Sequence, residues 1–90
     1  MGTPTQAHSR RALDEAVLAA LARRALADGT FRELRHRSGL SQGGAGAIVG
    51  VTHGAIGHYE AGRRKPRGEI AVRLGRLVRR LAAVHGEQVA

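Results

Sequence analysis

The sequence has no cysteine and no tryptophan, and only one phenylalanine, one tyrosine and one methionine. Without thiols there are no disulfides and no thiolate metal sites, and the chain suits a reducing compartment. Phe31 and Tyr59 are too few to form a stacking platform for single-stranded nucleic acid, and both are expected in the core. No apolar run approaches the length of a membrane span or of a signal-peptide core, so no membrane partner and a cytoplasmic location are expected. Acidic side chains are scarce as well. Seven Asp and Glu stand against 15 Lys and Arg, a formal charge of +8. That balance favours a polyanionic partner over an acidic protein or an anionic membrane surface. No nucleophile elbow, phosphate-cradling glycine loop or carboxylate pair is present, so the chain is not expected to be an enzyme or to take a small-molecule substrate. His53 and His58 do not share a helical face, and no carboxylate stands at ligand spacing to them. Neither a metal nor another cofactor is expected.

What is present reads as helix. Ninety residues allow one small domain, whose core would benefit from a partner subunit. Residues 1–9 lack periodicity and read as a loose arm. From Ser9, a plausible cap, Leu13, Val17, Leu18, Leu21, Ala25 and Leu26 recur at helical spacing through alanine-rich sequence. Asp28-Gly29 should stop or kink that helix. Thr30 with Glu33 then makes a capping box for a helix from Phe31 to about Arg37, which Gly39 ends. The long first helix either extends the core or pairs with another subunit.

Ser41 to Gly62 is the stretch around which the chain is organised. Ser41 caps a helix running to Val49, and Gly50 supplies the left-handed residue that ends it. Thr52 caps a second helix from His53 to about Ala61, with Gly62 as its stop. Three residues between two helices make a tight helix-turn-helix connection. Ala45, Ile48, Val49, Val51, Ile56 and Tyr59 are the apolar clamp. His53, Gly54, Gly57 and His58 remain as an outer face, and the basic run Arg63-Arg64-Lys65-Pro66-Arg67 follows directly. A presented helix beside a cationic cluster suggests DNA binding, with Arg63, Arg64 and Lys65 as phosphate clamps. Thr52 is a cap first and a phosphate contact second. After Pro66, from about residue 67 to 85, Ile70, Leu74, Leu77, Val78, Leu81 and Val84 form an apolar stripe, with Arg73, Arg76, Arg79 and Arg80 largely off it. This helix either packs on the core or dimerises. Gly86 closes it, and residues 87–90 are a tail.

From about Phe31 to Arg67 the sequence resembles the Cro and phage-repressor (XRE-like, lambda-repressor-like) helix-turn-helix regulators. The resemblance rests on Gly39-Leu40-Ser41-Gln42, on Gly50-Val51-Thr52 at the turn, on Ile56, and on Tyr59-Glu60-Ala61-Gly62 followed by basic residues and Pro66. The chain departs from the pattern in the first motif helix. Gly43 and Gly44 replace charged helix formers, Ala45 a larger apolar residue, and Gly46 an alanine. The resemblance implies that His53, Gly54, Gly57 and His58 face the bases with Ala55 close by. It further implies that Ser41 and Gln42 touch the DNA backbone, and that Arg35 and Glu60 form a structural, partly buried ion pair.

The expectation is an all-α, compact bundle of about five helices containing a helix-turn-helix, with an added N-terminal helix. Residues 10–86 form the domain and 41–62 the motif. Its partner would be duplex DNA, bound sequence-specifically by a homodimer on half-sites roughly 34 Å apart. A small Cro-like repressor of phage, antitoxin or plasmid type, associated with the nucleoid and without a sensing domain, is the simplest role. The alternative is a protein-interaction module on the same scaffold, docking a toxin or a polymerase subunit.

Overall fold

A computed structural model describes residues 3–86 of the protein, with side chains from Ser9 onward. These residues form five helices and no strand: α1 (Thr3–Ala27), α2 (Thr30–Arg37), α3 (Gln42–Val49), α4 (His53–Glu60) and α5 (Gly68–Val84). The all-α bundle is therefore as expected. The proposed 87–90 tail lies outside the described residues, as do Met1 and Gly2 of the proposed arm.

α1 begins at Thr3, so Ser9 lies inside the helix and is not its cap. Proline is compatible with a first helical turn, so Pro4 does not force the later start that the sequence suggested. The helix breaks fully after Ala27, with Gly29 left-handed at φ 84°. The capping box at Thr30 and Glu33 does not form. Gly29 occupies the N-cap position, and the Thr30 N–H donates instead to Asp28 Oδ1 at 2.9 Å. A short carboxylate two residues upstream reaches that amide more directly. Hydrogen bonds from the Thr30 side chain and backbone, outweighing some burial and aided by Arg24, hold the Asp28 carboxyl below its ordinary range.

Phe31, Leu34, Val49, Ile56, Leu74 and Val78 are the large, fully buried side chains at the centre. α1 contributes Leu21, Ala22 and Ala25 to this core and packs most extensively on α5. Leu18 and Ala19 meet Ala71 and Val72 in a smaller cluster along that seam. The seam is close: a Cβ on Gly75 would lie 2.1 Å from the Leu18 carbonyl oxygen. Such proximity explains why the buried face of α5 includes Ala71, Gly75 and Ala82, which its large-residue stripe did not mark. Leu74, Leu77 and Val78 are buried as core, Ile70 and Leu81 are partly covered, and Val84 is 76 % exposed at the helix end. Leu77 therefore belongs to the core, not to a free dimerisation face.

Two further apolar positions differ from the sequence reading. Leu13 and Val17 of α1 are exposed, because they share with Ala20 a strip turned away from Leu18, Ala22 and Ala25. Ile48 is 58 % exposed, so the clamp between α3 and α4 is Ala45, Val49, Ile56 and Tyr59 with partly covered Val51. Residues 45 and 49 share a helical face one turn apart, and residue 48 falls at its margin.

Candidate nucleic-acid interface

The helix-turn-helix closes through its hydroxyl caps. Ser41 Oγ accepts the Gly44 N–H at 2.9 Å, and Thr52 Oγ1 accepts the Ala55 N–H at 3.1 Å. Each hydroxyl keeps its own O–H to donate outward. At the turn, Gly50 takes φ 88°, a region that L side chains rarely adopt. Gly46 O accepts the N–H groups of both Gly50 (2.7 Å) and Val51 (2.8 Å). A Cβ on Gly46 would lie 2.5 Å from Val51 O. The glycine that departed from the family pattern is thus matched to an unusually close turn. Arg73 braces the same corner from α5, donating from its guanidinium to Val49 O at 3.1 Å and to Glu69 at 3.2 Å. The sequence placed Arg73 on a solvated basic face; only the Glu69–Arg73 spacing of four hinted at its fixed position.

A buried ionic network sets α4 against α2 and the start of α3. Arg35 donates to both carboxylate oxygens of Glu60, at 2.7 and 3.0 Å, and to Leu40 O at 3.1 Å. The Gln42 amide donates to Glu60 Oε1 at 3.0 Å, and the Arg32 guanidinium stands 3.6 Å from the same oxygen. Side-chain exposure is 7 % for Arg35 and 2 % for Glu60. Burial pushes the Glu60 carboxyl up, but the hydrogen bonds from Arg35 and Gln42 and the charges of Arg35 and Arg32 outweigh it. Its pKa therefore lies below the ordinary value. The carboxylate is consumed in holding three helices together, which makes Glu60 structural rather than a contact group. Gln42 is turned inward to serve this network, leaving one amide N–H for a phosphate.

Outside the network lies the presented surface. His53, Gly54 and His58 are exposed on α4, and Gly57 is half-buried beside Gln42. Taken at about 100° per residue, Gly57 and Gly54 fall between His53 and His58 on one arc of about 140°. This gives two histidine edges with a floor that lacks side chains. Ala55 lies off the arc, half-buried and packed against the core. Neither Gly54 nor Gly57 is demanded by the chain's own packing. A Cβ on Gly54 would meet only Thr52 Oγ1 at 3.8 Å, and one on Gly57 only the Gln42 side chain at 3.6 Å or more.

One shallow depression borders the arc at His53, and a second lies in the basic segment that follows α4. One is lined by Arg32, Arg35 and His36 of α2, Ser41, Gln42 and Gly43 at the start of α3, and His53 and Glu60 of α4. The amides that begin α3 open here, in the kind of position that attracts phosphate oxygens. The other is lined by Tyr59, Arg63, Arg64, Lys65, Arg67 and Ile70. Arg63, Arg64, Lys65 and Arg67 are all exposed. Sequence reasoning missed Arg32 and His36 as members of these surfaces, and placed Arg67 in the basic run without counting it among the clamps. For Arg32 and His36 the signal was available, since residues four apart on a helix share a face with each other. Among the described residues no cluster of three His, Asp or Glu could hold a metal ion, and no helix is long and apolar enough to cross a membrane.

Two capped helices joined by a tight turn, with the second presenting an open arc beside cationic side chains, define a helix-turn-helix protein. The chain belongs to the helix-turn-helix domain family, whose model matches residues 29–89. α1 lies ahead of the matched region. No curated protein and no solved structure matches the chain.

Proposed function

We infer that the protein is a transcriptional regulator that binds duplex DNA sequence-specifically, most simply a small Cro-like repressor acting as a homodimer on an operator. The observation that carries this reading is the open arc of α4, with His53 and His58 at its edges and phosphate-seeking groups at the start of α3 and in the basic segment after α4. α4 is the recognition helix, lying in the major groove with its N-terminal turn toward base edges. His53 and His58 address purine edges through a ring N–H or lone pair. Ser41, Gln42 and Thr52 contact the sugar-phosphate chain on one side, and Arg63, Arg64 and Lys65 on the other. Gly54 and Gly57 contribute closeness rather than side-chain contacts, so DNA shape and deformability carry much of the selectivity. The protein acts by occupying its site, not by catalysis, and needs no cofactor. It works inside the cell on the nucleoid.

Fluorescence anisotropy with the duplex upstream of the protein's own gene, against a shuffled duplex at two salt concentrations, tests this. Tight binding to the upstream duplex alone, with a steep salt slope, supports an autoregulating operator binder. Equal, salt-sensitive binding to both would leave only a DNA-coating protein. No binding at either salt would favour a protein-docking module.

A further inference from the structure

From Ser9 to Val17, α1 adds no residue to the buried core. No residue from Ser9 to Val17 is buried, and Leu13 and Val17 are 64 % and 45 % exposed. Helices in proteins draw most of their stability from packing an apolar face, so this bare segment is left unsupported within one chain. Leu13, Val17 and Ala20 fall on one strip of the helix surface, and all three are exposed. Arg10 and Asp14 flank the same edge of that strip. They are four residues apart, yet neither makes an ion pair or side-chain hydrogen bond with another described residue.

We propose that the Leu13 end of this strip is where two copies of the chain meet, with their α1 helices antiparallel about a two-fold axis level with Ala12. In an isologous contact residue i meets residue j of the partner while j meets i. Antiparallel helices related by such an axis place like edges side by side. Arg10 then faces the partner subunit's Asp14, and Asp14 faces the partner subunit's Arg10. Leu13 packs beside its symmetry mate between these two ion pairs. The charge order along the edge is therefore complementary to itself, which singles out a second copy as the occupant. Burial of Leu77 in the core leaves α5 without its most central stripe residue to offer instead. A contact of two helix segments is small, so the dimer is weak and reversible in free solution. Two half-sites on one duplex tighten it through effective concentration.

This inference rests on the homodimer in the proposed function but not on DNA binding, and the test omits DNA. Sedimentation equilibrium of the full chain, up to about 1 mM, should give a monomer–dimer equilibrium. Leu13→Glu should abolish the dimer without lowering the circular-dichroism melting temperature, since Leu13 is largely exposed and belongs to neither core cluster. Arg10→Asp alone and Asp14→Arg alone should each weaken dimerisation about tenfold, because like charges then meet twice. The double reversal Arg10→Asp/Asp14→Arg should restore the wild-type constant to within about threefold. A wild type that stays monomeric throughout overturns the proposal. So does a dimer that survives Leu13→Glu, or a double reversal as weak as either single change. A dimer with these properties that ignores every duplex would retain this contact and discard the DNA reading.

Discussion

Gly54→Ala and Gly57→Ala should move stability and DNA affinity in opposite directions. Glycine inside a helix costs roughly 0.8–1.0 kcal/mol relative to alanine. At Gly54 the new methyl would meet only Thr52 Oγ1 at 3.8 Å, and at Gly57 the flexible Gln42 amide from 3.6 Å outward. Both are ordinary contact distances, so neither substitution strains the free protein. A gain of about 1 kcal/mol each should raise the melting temperature by roughly 4–8 °C for a domain of this size. Two other glycines serve as internal controls. A Cβ at Gly46 would stand 2.5 Å from Val51 O, and one at Gly75 2.1 Å from Leu18 O, both of them backbone atoms. Alanine there should destabilise by about 1–3 kcal/mol, as overpacking does. Thermal melts followed by circular dichroism read the first effect, and fluorescence anisotropy on the operator duplex reads the second. If the bare arc of α4 lies against DNA, the added methyls should weaken binding about tenfold or more while the fold grows firmer. Unchanged affinity alongside raised stability would refute the argument that this arc meets the ligand. A lowered melting temperature would refute the claim that the chain leaves room there.

Other consequences concern charge. Glu60→Ala would strand the buried Arg35 guanidinium and should cost about 3–5 kcal/mol, a drop of at least ~12 °C in melting temperature. Because the Glu60 pKa is depressed on folding, its stabilisation is complete above the ordinary value of 4.5 and is lost as pH falls through the folded value. Melts of wild type and Glu60→Gln should therefore converge in acid, and a constant gap down to pH ~2 would contradict the assignment. Arg64→Ala should weaken all duplexes alike and make the log–log salt slope shallower by about 0.9, whereas an unchanged slope removes Arg64 from the phosphate contacts. His53→Ala should cost about 1–3 kcal/mol on the operator and relax selectivity at one base position. Equal loss on operator and random duplex would mean that His53 reads no base.

The motif was legible because its signals are local. Ser41, Gly50 and Thr52 each dictate a backbone conformation within three residues, and the structure places all three as the sequence indicated. The Arg35–Glu60 pair spans 25 positions and was reachable only through resemblance. Features set by helix–helix distance were not legible. Nothing in the sequence marks Gly75, whose lack of a side chain is explained only by the α1 backbone against it, and periodicity alone could not show that small residues mark the buried face of α5. Leu13 and Val17 stand at four-residue spacing with buried Leu21, but that spacing does not say which strip of α1 the neighbouring helix covers. Asp28 outcompeted the Thr30–Glu33 box because a left-handed glycine intervened, and the rule for capping boxes carries no information about that residue.

As proposed, α4 reads duplex DNA in a two-fold arrangement. Selection from a randomised duplex pool, with the full chain at near-physiological salt, tests it most directly. Enrichment of a two-fold-related motif is expected, with half-sites about 10 bp apart, one helical turn. His53→Ala should blur one position in each half-site. A pool that stays random, or one whose enriched motif is unaffected by His53→Ala, Gly54→Ala and Gly57→Ala together, would contradict it.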